Sequence, residues 1–531
     1  MVIASLSLRE DYWETFDLLE DDIEFIYNYL LEIETPLTPD ELVTAIVEER
    51  IRREIEAFEI QRSSAGDLYF PKDSFEENQN LIFPALGWRQ GKVVSLRPGV
   101  NPDVADLKVI KVQFENGEER EFASGVDDHY LNNPPEITQD SELLSAQFVI
   151  DSYRQHLAES LESNLEANED FVRVAGRWFP RALLLDVNPG HLNLAEAVLD
   201  IAGGGPLPTT TLIKQVELPS SENPKLVEFS LDLGLEEDPR FDEVGPAGEV
   251  LWFLKRLEPQ EVLETPSFLR YHEIEHDRDL LSKEMLALEQ ELDDELSPIA
   301  SDSSDSDDVV ISLIFPHWRV GSLPLSTHVE HLFPTAYEAP RIRFMLEDRK
   351  SGESFPGWVV PEKRYVIGLQ EWYQTQGLMP GSFVRVQRGK DPGRVLISAD
   401  SRRSSREWIR TVLVGSDGGT VFAMLKQVVA GAYDERMAIA VPDINALNNV
   451  WERIQKERLP FERVLVDIVR ELTKMNPQGH VHATELYAAV NIVRRCPPGP
   501  IFALLSSRPW FEHVGDLHFR FDDSGQVKLN K

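Results

Sequence analysis

The 531-residue chain is 42% hydrophobic and 27% charged, a globular balance that excludes wholesale disorder and, at roughly 100–200 residues per domain, predicts several domains. Its net charge of −39 is uneven: residues 309–531 hold 29 Lys and Arg against 24 Asp and Glu, a net of +5, so residues 1–308 carry −44 and repel polyanions. A single cysteine, Cys496, excludes an intramolecular disulfide framework and any zinc site needing two thiolates. No apolar run reaches the ~18 residues a membrane helix needs, and the opening MVIASLSLREDYWETFD has no basic head, so the expectation is a soluble, cytoplasmic protein without membrane contact.

In chain order, residues 1–75 open with an amphipathic stretch at 22–34. A second helix signal follows, with Thr38 as cap and Glu41 at the capping-box position. Residues 80–130 alternate, with Ile110, Val112 and Phe114 separated by Lys111 and Gln113, and Asn116-Gly117 offers a tight hairpin turn. Arg89, Lys92, Arg97, Lys108, Lys111 and Arg120 make this stretch a basic island, read either as solvated strand faces or as a polymerase or nucleic-acid contact. Residues 140–185 hold part of a helix-and-hairpin plan that 190–260 and 460–531 carry in full. The predicted helices of the last copy are 461–474, 483–495 and 500–506, ahead of a strand at 517–521. Arg494 and Arg495 give that copy a basic character, whereas 223–237 in the earlier copy holds one Lys against four carboxylates.

Between these copies, 265–308 reads as an acidic helix followed by a disordered linker of Ser and Asp. The helix, 278–296, has Leu281, Met285, Leu288, Leu292 and Leu296 at helical spacing, and packs either on its own domain or on a partner helix. Residues 309–400 read in the order strand, short helix, strand pair with a Ser-Gly turn, tryptophan strand, short helix and closing hairpin. Residues 401–459 begin with Arg402 and Arg403 among serines, which predicts a linker or a track for a phosphate backbone, with the linker favoured, followed by a mixed element.

Three helices followed by a β-hairpin is the winged-helix plan. Segments 1–75, 140–185, 190–260 and 460–531 resemble the winged-helix family that includes the N-terminal domain of the RNA polymerase delta subunit. Residues 80–130 are similar to small five-stranded barrels of the Tudor or KOW kind, and 309–400 resemble the DNA-binding pseudobarrel of plant transcription factors and some restriction-enzyme effector domains. The last resemblance implies that Leu346-Glu347-Asp348 and Trp358 lie on a central strand pair and that 378–382 form the closing turn. Arg341, Arg343, Lys363, Arg364, Arg385 and Arg388 then become candidates for DNA contact, the alternative being that they solubilise strand faces. Together these imply an α+β, multidomain chain of winged-helix modules interleaved with two small β-barrels.

Sequence motifs for catalysis are thin. His272-Glu273-Ile274-Glu275-His276 matches H-E-x-x-H, which on a helix would place two zinc ligands and a general base on one face, but its acidic surroundings and equal fit to a strand favour a chance match. There is no phosphate-cradling GxxxxGK[ST] and no G-x-S-x-G elbow, and Gly203-Gly204-Gly205 reads as a turn. His480 and His482 read as a helix entry, His328 and His331 as surface or half-buried groups, and Cys496 as a structural thiol. The expectation is a non-enzymatic DNA- or transcription-associated binding protein with no cofactor and no metal. Its C-terminal half would contact nucleic acid through the candidates above with Arg402, Arg403, Arg494 and Arg495, and its acidic half a basic protein surface or RNA polymerase. The alternatives are a pure protein–protein scaffold and, less favoured, a zinc-dependent hydrolase.

Overall fold

The computed structural model describes residues 8–9, 11–64, 67–86, 89–100, 107–114, 117–132, 142–216, 218, 223–299, 306–391, 393–416 and 418–522. The chain is α+β, and its contacts divide it into two compact units: residues 1–186 with 220–230, and residues 187–219 with 231–531. Among the described residues, no helix is long and apolar enough to cross a membrane. Asn116 and residues 301–305 of the predicted linker lie outside the described residues.

In the first unit, helices α1 (Glu20–Ile33) and α2 (Pro39–Ser64) are joined through Leu37. Thr38 and Glu41 form the predicted capping box, the Glu41 carboxylate accepting from Thr38 N at 2.8 Å and Thr38 Oγ1 accepting from Glu41 N at 3.3 Å. Asp22 is buried beneath Arg50 and Arg53, where it also caps α1 by accepting from Leu19 N at 3.0 Å. A five-stranded sheet follows, in order β1 (Asp67–Leu68), β2 (Asn80–Phe83), β3 (Arg89–Pro98), β4 (Lys108–Phe114) and β5 (Glu119–Ser124). It curls around a core of Tyr69, Phe75, Phe83, Val93, Ile110 and Phe114, and its ends meet where Tyr69 donates to Ala123 O at 2.6 Å and Val126 N to Pro71 O at 2.8 Å. The sheet thus begins at Asp67, earlier than the predicted 80. Four cations of its basic island are paired across the strands or beside them, Arg89 and Arg120 with Glu118, Arg97 with Glu121 and Lys111 with Glu119.

After the sheet come α3 (Ala146–Glu166) and the hairpin β6 (Phe171–Val174) and β7 (Arg177–Pro180), turned at Ala175-Gly176 with positive φ at both residues. Trp178 of β7 exchanges backbone hydrogen bonds with Leu37, Trp178 N to Leu37 O at 2.8 Å and Leu37 N to Trp178 O at 3.2 Å, and α3 packs on α2. The predicted modules 1–75 and 140–185 are therefore one module of three helices and a hairpin, with the sheet inserted between its second and third helices. Helices α1 and α2 alone lack the third helix and the hairpin that close their core.

The second unit opens with α4 (Pro189–Ile201), β8 (Leu207–Pro208), α5 (Thr209–Val216), α6 (Pro224–Glu236, its first half clustering with the first unit), β9 (Phe241–Glu243) and β10 (Leu251–Leu254). The strands order β8-β10-β9, and buried Trp252 donates Nε1 to Asp232 at 2.9 Å and to Thr209 at 3.1 Å. A single turn, α7 (Gln260–Leu263), leads to an irregular stretch and then α8 (Lys283–Leu292). This helix is shorter than the predicted 278–296, because Ser282 caps its start and Asp293 ends it at φ 44°.

Next come β11 (Asp308–Ser312), α9 (Phe315–Val320), β12 (Ser322–Pro324), β13 (Ile342–Asp348), β14 (Ser354–Val360), β15 (Tyr365–Ile367), α10 (Gln370–Gln376), β16 (Phe383–Arg388) and β17 (Arg394–Ala399). They build one seven-stranded sheet, β11-β16-β17-β13-β14-β15-β12, in which only β13 and β17 pair parallel. Asp308, placed by sequence at the end of the linker, is already in β11. The sheet wraps Leu323, Phe344, Leu346, Val366, Val384 and Ile397, while its outer residues Trp358, Val360, Tyr365 and Ile367 pack against Val244 and Phe253 of the preceding module.

Residues 401–459 correct the linker expectation. They form a long antiparallel ribbon, β18 (Ser401–Val414) with β19 (Thr420–Gly431), followed by α11 (Ile444–Glu457). The last module is α12 (Phe461–Thr473), β20 (Val481–His482), α13 (Ala483–Val493), α14 (Pro498–Ser507), β21 (Phe511–Gly515) and β22 (His518–Phe521), with strand order β20-β22-β21. Its core includes Leu281, Met285 and Leu288 from α8 and the turn before it, so the acidic helix packs on this module and lies against α14.

Candidate nucleic-acid interface

The cations proposed for DNA contact fold into different surroundings. Arg341 is inserted between acids of the preceding module, its Nε 2.9 Å from Asp242 and 3.0 Å from Glu258, with 14% of its side chain exposed. Arg343 lies over the Phe253 ring at 5.9 Å, and burial pushes its guanidinium below the usual arginine range. Arg495 is fully buried, held by Asp294 at 2.6 Å and Glu295 at 2.7 Å. Arg341 and Arg495 correct the expectation, since each is closed in by carboxylates of its own fold, whereas Arg343 is half-buried.

The remaining candidates are more open. Arg385 is clamped by both Asp308 oxygens at 2.8 Å, Arg388 pairs with Asp307 at 3.2 Å, and Lys363 pairs with Glu362 at 2.6 Å. Arg364 is half-buried at φ 55°, and Arg494 lies over Phe461 at 5.6 Å while donating to Leu459 O at 3.3 Å. The side chains of Arg402 and Arg403 lie outside the described residues, although their backbone belongs to β18. In a chain with 92 acids and 53 bases, most cations brought near a neighbouring strand or module meet a carboxylate first.

The histidines and the cysteine singled out by sequence, and one further buried Ser-His-Glu array, sit in structural settings. Residues 269–277, around His272 and His276, are irregular, so the two histidines do not share a helical face; among the described residues no group of three His, Cys, Asp or Glu could hold a metal. His482 caps α13 by accepting from Thr484 N at 3.1 Å, and burial, Arg436 and His518 push its imidazole down to about 4. Ser322, His317 and Glu295 line up, with Ser Oγ 2.8 Å from His Nδ1 and His Nε2 3.1 Å from Glu Oε1. Ser322 is fully buried, however, and no substrate carbonyl can approach it. Burial likewise pushes the Cys496 thiol up, away from reactivity.

The third helix of the last module is also occupied. In the last module, α14 buries most of its length beneath α8, and its residues Pro498–Ser507 include no charged side chain.

The ribbon is different. On one face, Ile409 and Val429 pack on Ala438 and Ala440, and Glu407 accepts from Tyr433. On the other, register pairs Arg406 with Val428, Trp408 with Lys426 and Arg410 with Met424, ahead of buried Val412 and Phe422. Trp408 is 61% exposed, Val428 66% and Met424 45%, and Lys426 sits 5.3 Å over the Trp408 ring. From 406 to 414 and from 420 to 428 this face carries no carboxylate. Arg410 is drawn in to Glu485 of α13 and is largely buried, so the face presents the Trp408 plane, the apolar Val428 and Met424, and the two cations Arg406 and Lys426 to solvent, which is the chemistry of a base-stacking platform. Two β-branched runs around Gly418-Gly419 are the sequence signal that would have revealed it. No protein family, curated protein or solved structure matches the chain.

Proposed function

We propose that the chain is a nucleic-acid-binding protein whose contact surface is the exposed ribbon face around Trp408, Lys426 and Arg406. The single observation that carries this reading is a carboxylate-free, aromatic and cationic face in a chain of net charge −39. Trp408 stacks on an unpaired base, and Arg406 and Lys426 meet the flanking phosphates. The sheet order β11-β16-β17-β13-β14-β15-β12 supports the pseudobarrel resemblance, and the helix–strand–helix–helix–hairpin order of two modules, with the three helices and hairpin of the first, supports winged-helix modules. In this account both serve as scaffolding that orients the ribbon, because Arg341 and α14 are enclosed. The −44 carried by residues 1–308 suits a basic protein surface, and keeps nucleic acid to the C-terminal half.

A protein-only scaffold is favoured by the burial of α14. Binding of a labelled single-stranded oligonucleotide to the full chain separates the two. About two neutralised phosphates, one each for Arg406 and Lys426, give a slope near −1.4 in log affinity against log salt, or roughly sevenfold weaker binding from 50 to 200 mM salt. A scaffold shows no binding at either concentration.

A further inference from the structure

A second site lies apart from the ribbon's exposed face. A cleft of about 510 Å³ is lined by Arg270, His272, Arg458 and Arg494, and by Trp451, Ile454, Gln455, Leu459, Val493 and Arg495. No carboxylate lines it. By contrast, the cleft of about 530 Å³ beside α8 is lined by Glu284, Glu291, Asp293, Asp434 and other acids. Three chain segments converge on the basic cleft: the irregular stretch before α8, the end of α11, and the end of α13.

Three of its four arginines are not consumed by the fold. Arg270 donates Nε to Thr265 O at 2.7 Å, and Arg494 donates to Leu459 O, both neutral acceptors. Arg458 ends α11 in a left-handed conformation, φ 48°, and is exposed. Among the described residues, none of these three arginines pairs with a carboxylate. Trp451, almost fully buried against Phe268, backs the cleft with an aromatic side chain. The fourth arginine of the lining, Arg495, is held by Asp294 and Glu295 and takes no part in the site.

We infer that this cleft is a binding site for a terminal phosphate monoester carrying a planar or apolar group. Three guanidinium groups and an imidazole suit a dianion with three equivalent oxygens, and Trp451, Ile454, Leu459 and Val493 offer the attached group an apolar wall. The volume is that of a small-ligand pocket. Two sources share this chemistry, a free nucleotide and the 5′-phosphorylated end of a nucleic-acid strand. The site stands on its own residues and does not depend on the ribbon.

Calorimetric titration of the full chain at low salt tests it, with four probes: inorganic phosphate, adenosine monophosphate, a 5′-phosphorylated tetranucleotide and its 5′-hydroxyl counterpart. One-to-one binding is expected for adenosine monophosphate and weaker binding for inorganic phosphate; with the ribbon disabled by Trp408→Ala and Lys426→Glu, the 5′-phosphorylated strand binds and the 5′-hydroxyl strand does not. Arg458→Glu and Arg270→Glu, placed on different segments and both exposed, each weaken it at least ~10-fold with unchanged melting temperature. Trp408→Ala leaves it unchanged, which separates failure of this site from failure of the ribbon. Tighter binding of adenosine monophosphate identifies a nucleotide site, and tighter binding of the phosphorylated strand an end-binding site. Absence of binding by all three phosphates overturns the inference, as does equal affinity in both variants and the unaltered chain.

Discussion

Replacing Arg495 by alanine tests the difference between a cation that binds a ligand and one that holds a fold together. Its guanidinium donates to Asp294 at 2.8 and 2.6 Å, to Glu295 at 2.7 Å and to Asn491 at 3.2 Å, and its side chain is fully buried. Tyr487 donates to Asp294 at 2.5 Å and His317 contacts Glu295 at 3.1 Å, so two carboxylates share one guanidinium deep between α8, α9 and α13. Burial works against both charges. It raises Asp294, with Glu295 adding to the rise, whereas Arg495 and His317 outweigh it at Glu295 and hold that carboxyl below its usual range. Arg495→Ala leaves Glu295 ionised with only His317 nearby, forces Asp294 to keep a proton and opens a cavity. Removing one partner of a buried pair costs about 3–5 kcal/mol. Spread over a cooperative unit of 150–250 residues, that lowers the melting temperature by about 6–20 °C. Urea unfolding followed by far-UV circular dichroism reads the loss directly, and Arg495→Met combined with Asp294→Asn recovers part of it. A loss below ~1 kcal/mol for Arg495→Ala would refute the reasoning, since no uncompensated buried charge would then have been created.

The pH dependence of the second module follows from Glu243, whose carboxyl burial pushes up to about 8 against the pull of hydrogen bonds from Gly245 and Leu251. Because the folded state holds this proton more tightly than the unfolded one, the stabilisation is complete below the unfolded value near ~4.3 and is lost as pH rises through about 8, on the order of 5 kcal/mol in all. Urea midpoints at pH 5 and pH 9 should differ accordingly, and Glu243→Gln should reduce the difference to the part contributed by Glu258, whose carboxyl burial also pushes up to about 8. Gly381 sits at φ +91° with an added Cβ only 2.5 Å from the Ala438 backbone, so Gly381→Ala should cost about 2–3 kcal/mol in chemical denaturation; a neutral result would mean that the turn relaxes freely.

Local signals in the sequence carried far. The capping box at Thr38 and Glu41, the helices near 461, 483 and 500, and the strand–helix–strand order of 309–400 all depend on neighbours a few residues apart, and the structure places elements there. What escaped depends on partners remote in sequence. Leu37 meets Trp178 across the inserted sheet, which is why one module reads as two. Leu281, Met285 and Leu288 have helical spacing, but nothing local says that their apolar stripe belongs in the core of the last module. The arginines fared worst for the same reason: Arg341 looks as available as Arg385 until Asp242 and Glu258 close around it. Trp408 was hidden for the opposite reason, because its serine- and arginine-rich approach resembles a linker while its backbone pairs along the whole of β19.

The central claim is tested most directly by fluorescence anisotropy of a labelled single-stranded oligonucleotide with the full chain and with Trp408→Ala and Lys426→Glu. Loss of one base–aromatic stack is worth about 1–3 kcal/mol, so Trp408→Ala should weaken binding by roughly 5- to 150-fold. Lys426→Glu should weaken it further at low salt and make the salt slope shallower, with melting temperatures unchanged because both residues are exposed. Affinity that is the same in all three proteins would contradict the account and move nucleic-acid contact away from the ribbon. Absence of binding by the unaltered chain at low salt would leave the protein scaffold as the reading.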